Sequence, residues 1–99
     1  MAAYVIASVN VTNPTAYEDY RKLVPETLKK YGGKFLVRGG QVEQREGAWK
    51  PHRVVVLEFA DMAAARRWYD SPEYQTALKI RLANSTSDVM MIVEGAPPA

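Results

Sequence analysis

Apolar residues occupy nearly every position of three short segments of the chain. These segments are also rich in β-branched residues, and each is predicted to be a strand: AYVIASVNV (3–11), RVVVLEF (53–59) and DVMMIVE (88–94). A further strand is expected from Lys34 through Arg38, resuming after Gly39 and Gly40 and reaching about Arg45. A glycine pair within a strand indicates a β-bulge or a place where another group approaches the backbone closely.

Between the first two predicted strands, apolar residues recur at helical spacing. Five residues separated by three or four positions fall on one face of the predicted helix: Tyr17, Tyr20, Val24, Leu28 and Tyr31. Two N-caps are plausible from the residue types, Asn13 followed by Pro14 or Thr15 followed by Glu18. The following glycines, at 32 and 33, are expected to end the helix, because glycine enters the left-handed conformation freely.

The segment before the last predicted strand contains two helix starts. Asp61 is expected to cap MAAARRWYD, and Ser71 with Pro72 starts a second helical stretch that extends to residue 84. The order of elements is therefore β-α-β-β-α-β, with the last crossover interrupted at Ser71. This order predicts an α+β, ferredoxin-like fold, in which helices cover one face of a four-stranded antiparallel sheet. We expect one domain over residues 1–95 and a loose C-terminal tail at 96–99.

The predicted strands are apolar on both faces, although the helices can cover only one face of the sheet. An antiparallel sheet with one face in water should instead alternate apolar and polar residues. The simplest cover for the second face is another copy of the same sheet across a two-fold interface, so a homodimer is expected. The alternative is a monomer whose second face is merely more apolar than usual.

Composition narrows the classes of partner and site. The 99 residues carry a net charge of +2, are 47% hydrophobic and contain no cysteine, which excludes disulfides and thiolate metal sites. Charges are interspersed and no RNA-recognition motif is present, so no nucleic-acid partner is expected. The chain has no apolar window of membrane-spanning length and no charged signal-like start, so we expect a cytoplasmic protein without a membrane partner. With His52 as the single histidine, predicted to lie on a surface turn, no metal site and no cofactor are expected.

Three charged residues interrupt the apolar strands: Arg38, Arg53 and Glu58. Side-chain alternation places Glu58 and Arg53 on different faces of their strand, whereas Arg38 can approach either face if the glycine pair shifts the register. One hypothesis is a pocket in which a guanidinium group binds a carboxylate or enolate oxygen and Glu58 acts as the base. The alternative is a structural Arg–Glu pair, within one subunit or across the dimer, that fixes the register.

Aromatic residues extend the candidate pocket. The hydroxyl group of Tyr20 can donate to a bound oxygen, and Trp49 can contribute a ring, whereas Tyr17, Trp68 and Tyr74 fit the core better. The predicted site therefore has Arg38 and Glu58 as catalytic residues. Its predicted ligand-binding residues are Arg38, Arg53, Tyr20, Gly39 and Trp49.

Four motifs, in order along the chain, resemble one family. The motifs GGKFLVRGG, EGAWKPHRVVVLEFAD, AARRWYDSPEYQ and IVEG are similar to those of domain-of-unknown-function family 1330, in the dimeric α+β barrel superfamily. The resemblance implies two ferredoxin-like subunits packed sheet to sheet, in a superfamily that includes cofactor-free monooxygenases, isomerases, haem-dependent enzymes and stress-responsive proteins. Since fold does not select among these functions, two hypotheses follow. The first is a cofactor-independent enzyme or binder of a small anionic or aromatic molecule, and the second is a non-catalytic dimeric module whose buried charges serve assembly.

Overall fold

The structure, a computed structural model, describes residues 1–97 and contains one antiparallel sheet. Its strands are β1 (Ala3–Val11), β2 (Lys34–Arg38), β3 (Arg53–Phe59) and β4 (Ser85–Glu94). The strand order is β2-β3-β1-β4, which puts β1 and β3 in the centre and β2 and β4 at the edges. The ferredoxin-like α+β architecture expected from the sequence is confirmed.

Three helices form the second layer: α1 (Pro14–Tyr31), α2 (Met62–Asp70) and α3 (Pro72–Asn84). Of the two predicted N-caps of α1, Asn13 is used, because its side chain accepts a hydrogen bond from the backbone N–H of Ala16. Asp61 and Ser71 cap α2 and α3 as predicted, each accepting from a backbone N–H three residues later. At the C-terminal end of α1, Gly32 adopts the left-handed conformation with φ 76°.

Two strand boundaries differ from the prediction. β2 ends at Arg38 and does not resume, and residues 39–52 contain no strand. The backbone N–H of Gly39 donates to the carbonyl oxygen of Val54 at 2.8 Å. The chain turns at Gly39 itself, whose φ is 68°. β4 begins at Ser85, three residues before the predicted start, because an edge strand accommodates polar residues that face water. Residues 95–97 follow β4 without regular structure, and residues 98 and 99 of the predicted tail lie outside the described residues.

Two register shifts place specific side chains. On β2 the shift lies between Phe35 and Val37, not at the glycine pair where a bulge was expected. On β4 Ser87 pairs with Val9 and Val89 pairs with Ser8, so that Asp88 lies outside the regular pairing. These irregularities decide which face of the sheet the neighbouring polar groups occupy.

The hydrophobic core lies between the helices and one face of the sheet. Alternate residues of β1, from Ala3 to Val9, point into it, and Trp68 and Tyr74 are fully buried there. The indole Nε1–H of Trp68 donates to the hydroxyl oxygen of Thr27 at 3.0 Å, and that hydroxyl donates to the carbonyl oxygen of Val24. The buried indole donor is thereby paired within the core.

The opposite face of the sheet is apolar and uncovered. Ile6 pairs with Val56 on one side and Met91 on the other, so that three strands present apolar side chains in one row. Met91 and Val93 on β4 remain 44% and 39% exposed. The two-sided apolar character predicted from the sequence is therefore present. No helix among residues 1–97 has both the length and the apolar content needed to cross a membrane.

Candidate functional site

A cavity lies between α1 and the helix-covered face of the sheet. A water-sized sphere finds about 40 Å³ of room inside it, well below the roughly 300–1,000 Å³ typical of small-molecule sites, so an organic ligand has to displace side chains or extend into the open mouth of the cavity. Most of its wall is aliphatic or aromatic: Val5, Ala7, Val9, Val24, Phe35, Val55, Leu57, Trp68 and Met90. Four arginines, Arg21, Arg38, Arg53 and Arg81, and two tyrosines, Tyr17 and Tyr20, complete the wall. No aspartate or glutamate lines the cavity. The cavity is therefore apolar and electropositive at the same time.

Arg38 and Arg53 are brought to the cavity from neighbouring strands. Arg38 is exposed, and the centre of its guanidinium group lies 4.3 Å from the ring centroid of Phe35, a cation–π contact. Arg53 is half-buried at the start of β3 and lowers the pKa of Tyr17, whose overall pKa is nevertheless raised by burial. Within residues 1–97, neither arginine has a carboxylate oxygen within 4.0 Å.

Gly39 provides space for the side chain of Arg53. A Cβ atom built on Gly39 would collide with the guanidinium group of Arg53, lying 2.6 Å from its Cζ atom. The glycine pair indicated either a β-bulge or the close approach of another group. At Gly39 the structure shows the close approach. Gly40, in contrast, has no heavy atom near its Cβ position.

Glu58 does not join the arginines. It pairs with Tyr4 and Lys34 in the sheet register, whereas the cavity residues Val55 and Leu57 point to the opposite face. Its carboxylate lies 3.1 Å from the Nζ atom of Lys34. The expected proximity of Glu58 to Arg38 is therefore wrong, since the alternation of β3 points Glu58 away from the helices.

Trp49 also lies away from the cavity. It belongs to the segment 39–52, is 55% exposed and borders a shallow surface depression together with Val42 and Pro51. The sequence places Trp49 near the strand ends but does not indicate that its side chain lies on the surface and not in the cavity. The structure thus groups Arg38, Arg53, Gly39 and Tyr20 and leaves Trp49 outside.

Tyr20 reaches the cavity from α1. Its hydroxyl oxygen lies 2.8 Å from that of Tyr74, a hydrogen bond between two phenols. Burial, together with the adjacent Tyr74, raises the pKa of Tyr20 well above its ordinary value. Both phenols are therefore neutral at physiological pH and act as hydrogen-bond donors or acceptors rather than as bases.

Arg81 is a cavity residue that was not among the sequence candidates. It lies on the last turn of α3, is only 3% exposed and donates from Nη1 to the hydroxyl oxygen of Ser87. The signal was present in the helix pattern, because Arg81 follows the buried residues Tyr74, Ala77 and Leu78 at helical spacing. An arginine on the buried face of a helix should have been counted as a candidate.

A second polar cluster lies at the β4 register shift, on the face of the sheet opposite to the helices. The carboxylate of Asp88 accepts from the Ser8 hydroxyl at 3.0 Å and lies 2.8 Å from Nδ1 of His52. These hydrogen bonds lower the pKa of Asp88. The Ser8 hydroxyl also accepts from the backbone N–H of His52, not from its ring, so the three residues are not arranged as a nucleophilic triad. The cluster instead fastens the end of segment 39–52 to the sheet, and half of the His52 side chain remains exposed, as expected for a surface histidine.

The model of the protein family described as "Domain of unknown function (DUF1330)" matches residues 2–96 of the chain. The chain belongs to this family. The family membership that the four sequence motifs indicated is therefore confirmed. Among curated proteins, no match to the DUF1330 chain was found.

Solved structures share the fold of the DUF1330 chain at low sequence identity. A protein of unknown function from Rhodopseudomonas palustris is 19% identical, with a TM-score of 0.78 over 98% of this chain and 84% of the other. A dimeric ferredoxin-like protein of unknown function from Jannaschia sp. CCS1 is 13% identical, with a TM-score of 0.68 over 98% and 100% of the two chains. SnoaB, a cofactor-independent oxygenase from Streptomyces nogalater, is 17% identical, with a TM-score of 0.57 over 98% and 95%. At these identities the similarity shows the ferredoxin-like fold, and enzymatic and non-catalytic roles are both open.

Proposed function

We propose that this protein binds a small organic anion with an apolar or aromatic body in the cavity between α1 and the sheet, as a binder or a cofactor-independent enzyme. The observation that carries the proposal is the combination of an apolar wall with four arginines and no carboxylate. An arginine that faces an apolar cavity without a counter-charge is suited to binding a carboxylate, because its planar group matches that anion in shape. Arg38 and Arg53 supply positive charge, and Tyr20 supplies a hydroxyl group. Glu58 has no part in this cavity.

The similarity in fold to SnoaB, a cofactor-independent oxygenase, is compatible with a catalytic role for the cavity. In this chain, the groups at the cavity that could orient a reacting oxygen are the neutral phenols and the guanidinium groups. They can stabilise negative charge on an enolate or carboxylate oxygen. No carboxylate base lines the cavity, so proton abstraction by this chain's own acidic residues is not part of the proposal.

Ligand binding is tested with 2-naphthoate and its neutral isostere 2-naphthamide in isothermal titration calorimetry. We expect the anion to bind at least tenfold more tightly than the amide, because only the anion compensates the arginines. Replacing both Arg38 and Arg53 with methionine should lower naphthoate affinity more than tenfold, because tenfold is about the effect of losing a single charge-assisted hydrogen bond. Arg66→Met is the matched control, since Arg66 is exposed on α2 and does not line the cavity. Equal affinity for anion and amide would contradict the proposal.

We also propose a homodimer formed through the uncovered sheet face, and this assembly is the second candidate role. Met91 and Val93 are exposed there, and a structurally similar protein from Jannaschia sp. CCS1 is dimeric. The Lys34–Glu58 ion pair lies on the same face, so we propose that Glu58 is part of this interface. A cytoplasmic location stays a prediction from the sequence.

The dimer is tested by light scattering coupled to size exclusion. We expect Met91→Lys to convert the protein to a monomer, because a charge would be buried in the interface without a partner. Leu82→Lys is the control, since Leu82 is 63% exposed but lies on α3, on the other side of the molecule. If Met91→Lys stays dimeric, or the unmodified protein is a monomer, the sheet face is not the interface.

A further inference from the structure

Arg81 carries a buried charge that is not paired with any carboxylate of residues 1–97. The residue is 3% exposed, and within residues 1–97 no carboxylate oxygen lies within 4.0 Å of it. Its Nη1 atom donates to Ser87, but its Nε–H is buried and has no hydrogen-bond partner. Arg21 also has a buried Nε–H without a partner, but its guanidinium group is paired with Glu18 at 2.7 Å and the residue is only half-buried. Arg81 is thus the cavity arginine that combines full burial with an unused donor.

An unpaired buried guanidinium group is strongly unfavourable unless something supplies an anion. Deprotonation does not relieve it. Arginine stays protonated in proteins, and although burial acts to lower the pKa of Arg81, Tyr74 and Tyr20 act to raise it and the net shift is upward. The phenols do not become the counter-ion either, since burial raises the pKa of both. No group among residues 1–97 therefore supplies this anion, whereas a bound ligand can.

The Tyr20–Tyr74 pair adds a second unused donor beside Arg81. Each hydroxyl group carries one proton, and the 2.8 Å hydrogen bond between them uses one of the two. The remaining O–H is available to an acceptor at the cavity. One guanidinium edge and one phenol hydroxyl can together hold a single carboxylate, which accepts in its own plane.

We infer that Arg81, assisted by the Tyr20–Tyr74 pair, binds the carboxylate of the cavity's ligand at the inner end of the cavity. This inference rests on the proposed function and adds the chemical class and the orientation of the ligand. The aliphatic and aromatic wall holds an apolar body, so the ligand is an aryl or alkyl monocarboxylate.

The position of Arg81 separates its role from that of Arg38. Arg38 lies on the edge strand β2, and the Arg81 guanidinium group is bonded to Ser87 on the opposite edge strand β4. Arg38 is exposed and Arg81 is buried, so Arg38 attracts the anion at the entrance and Arg81 holds it inside.

The test uses 2-naphthoate and 2-naphthamide with Arg81→Met, Arg81→Lys and the control Arg66→Met. We expect Arg81→Met to lower naphthoate affinity about a hundredfold, the effect of removing one partner of a buried charge pair, and to change amide affinity less than threefold. Arg81→Lys should fall between, because lysine keeps the charge but loses the planar donor edge. Without ligand, Arg81→Met should melt at the same temperature as the unmodified protein or higher, because an unpaired buried charge has been removed.

A second measurement keeps the inference testable if the Arg81 variants do not fold. In the unmodified, ¹⁵N-labelled protein, saturating naphthoate should shift the Nε–H resonance of Arg81, whereas naphthamide should not. An unmoved resonance, or naphthoate affinity unchanged in Arg81→Met, would overturn the inference. If affinity falls in the Arg38/Arg53 double variant but not in Arg81→Met, the proposed function stands and only the role of Arg81 fails. If the unmodified protein does not prefer naphthoate, both fail.

Discussion

Replacing Gly39 with alanine would put a methyl group where the guanidinium group of Arg53 lies. The added Cβ atom would be 2.6 Å from Cζ and 3.2 Å from Cγ of Arg53, so the arginine side chain would have to move. Gly32 is a matched control. It has a similar positive φ, 76° against 68°, but no heavy atom lies within 4 Å of its Cβ position. The two substitutions therefore share the backbone strain and differ in the contact with Arg53.

The expected magnitudes follow from this difference. An L-residue in the left-handed conformation costs about 1–2 kcal/mol, so both variants should lose about that much free energy of unfolding. For a domain of this size, each kcal/mol lowers the melting temperature by about 4–8 °C. The Arg53 side chain is long and half-buried, so its displacement should add little further destabilisation. Its loss from the cavity should nevertheless lower 2-naphthoate affinity about tenfold in Gly39→Ala, as for the loss of one charge-assisted hydrogen bond.

Urea unfolding measures the shared strain, and titration calorimetry measures the ligand affinity that separates the variants. A ligand-free readout is the pKa of Tyr17, followed by ¹³Cζ NMR. Arg53 lowers this pKa, so its displacement in Gly39→Ala should raise it, while Gly32→Ala should leave it unchanged. The double variant with Gly39→Ala and Arg53→Met should bind naphthoate as tightly as the single variant Arg53→Met. If both glycine variants bind naphthoate equally well, Gly39 does not act through Arg53, and the assignment of Arg53 to the site is refuted.

Two further predictions concern stability. Thr27→Val should lower the free energy of unfolding in urea by about 1–3 kcal/mol, because the buried Nε1–H of Trp68 loses its acceptor. The control Thr76→Val, on the exposed side of α3, should have little effect in the same experiment. The pKa of Asp88 is lowered in the folded state by hydrogen bonds from His52 and Ser8, so its stabilising contribution is present above the unfolded pKa of about 4 and is lost as pH falls through the folded value. Asp88→Asn should therefore flatten the loss of stability in acid, and an unchanged pH profile would show that these hydrogen bonds are not maintained in solution.

The fold was predictable because local and global signals agree. Asn13, Asp61 and Ser71 are capping residues at the helix starts, and the strands are dense in β-branched residues. The boundaries that differed lie at sheet edges, where pairing and not composition decides where a strand ends. Thus β2 stops at Arg38 although a further apolar residue, Val42, follows, and β4 begins in the polar run at Ser85.

The site was predictable only in part, for two physical reasons. Strand alternation separated Glu58 from Arg53, but the face of Arg38 depended on a register shift near Leu36 that the sequence does not mark. Arg81 was missed because it is distant in sequence from the other arginines and meets them only through packing of α3 against the sheet. Its position on the buried face of a helix was the available signal, and buried arginines merit the same attention as arginines in strands.

The central position of β1 has a consequence for how the cavity forms during synthesis. β1 pairs with β4 from Ala3↔Glu94 to Val11↔Ser85, so the earliest strand completes its pairing only when the last one has been made. Contacts between residues so far apart in sequence close late and slow the folding of a domain. Met90 of the cavity wall and Ser87, the partner of Arg81, both lie on β4. The proposed ligand site is therefore incomplete in a nascent chain that lacks β4, and a ligand of that site would stabilise only the completed domain.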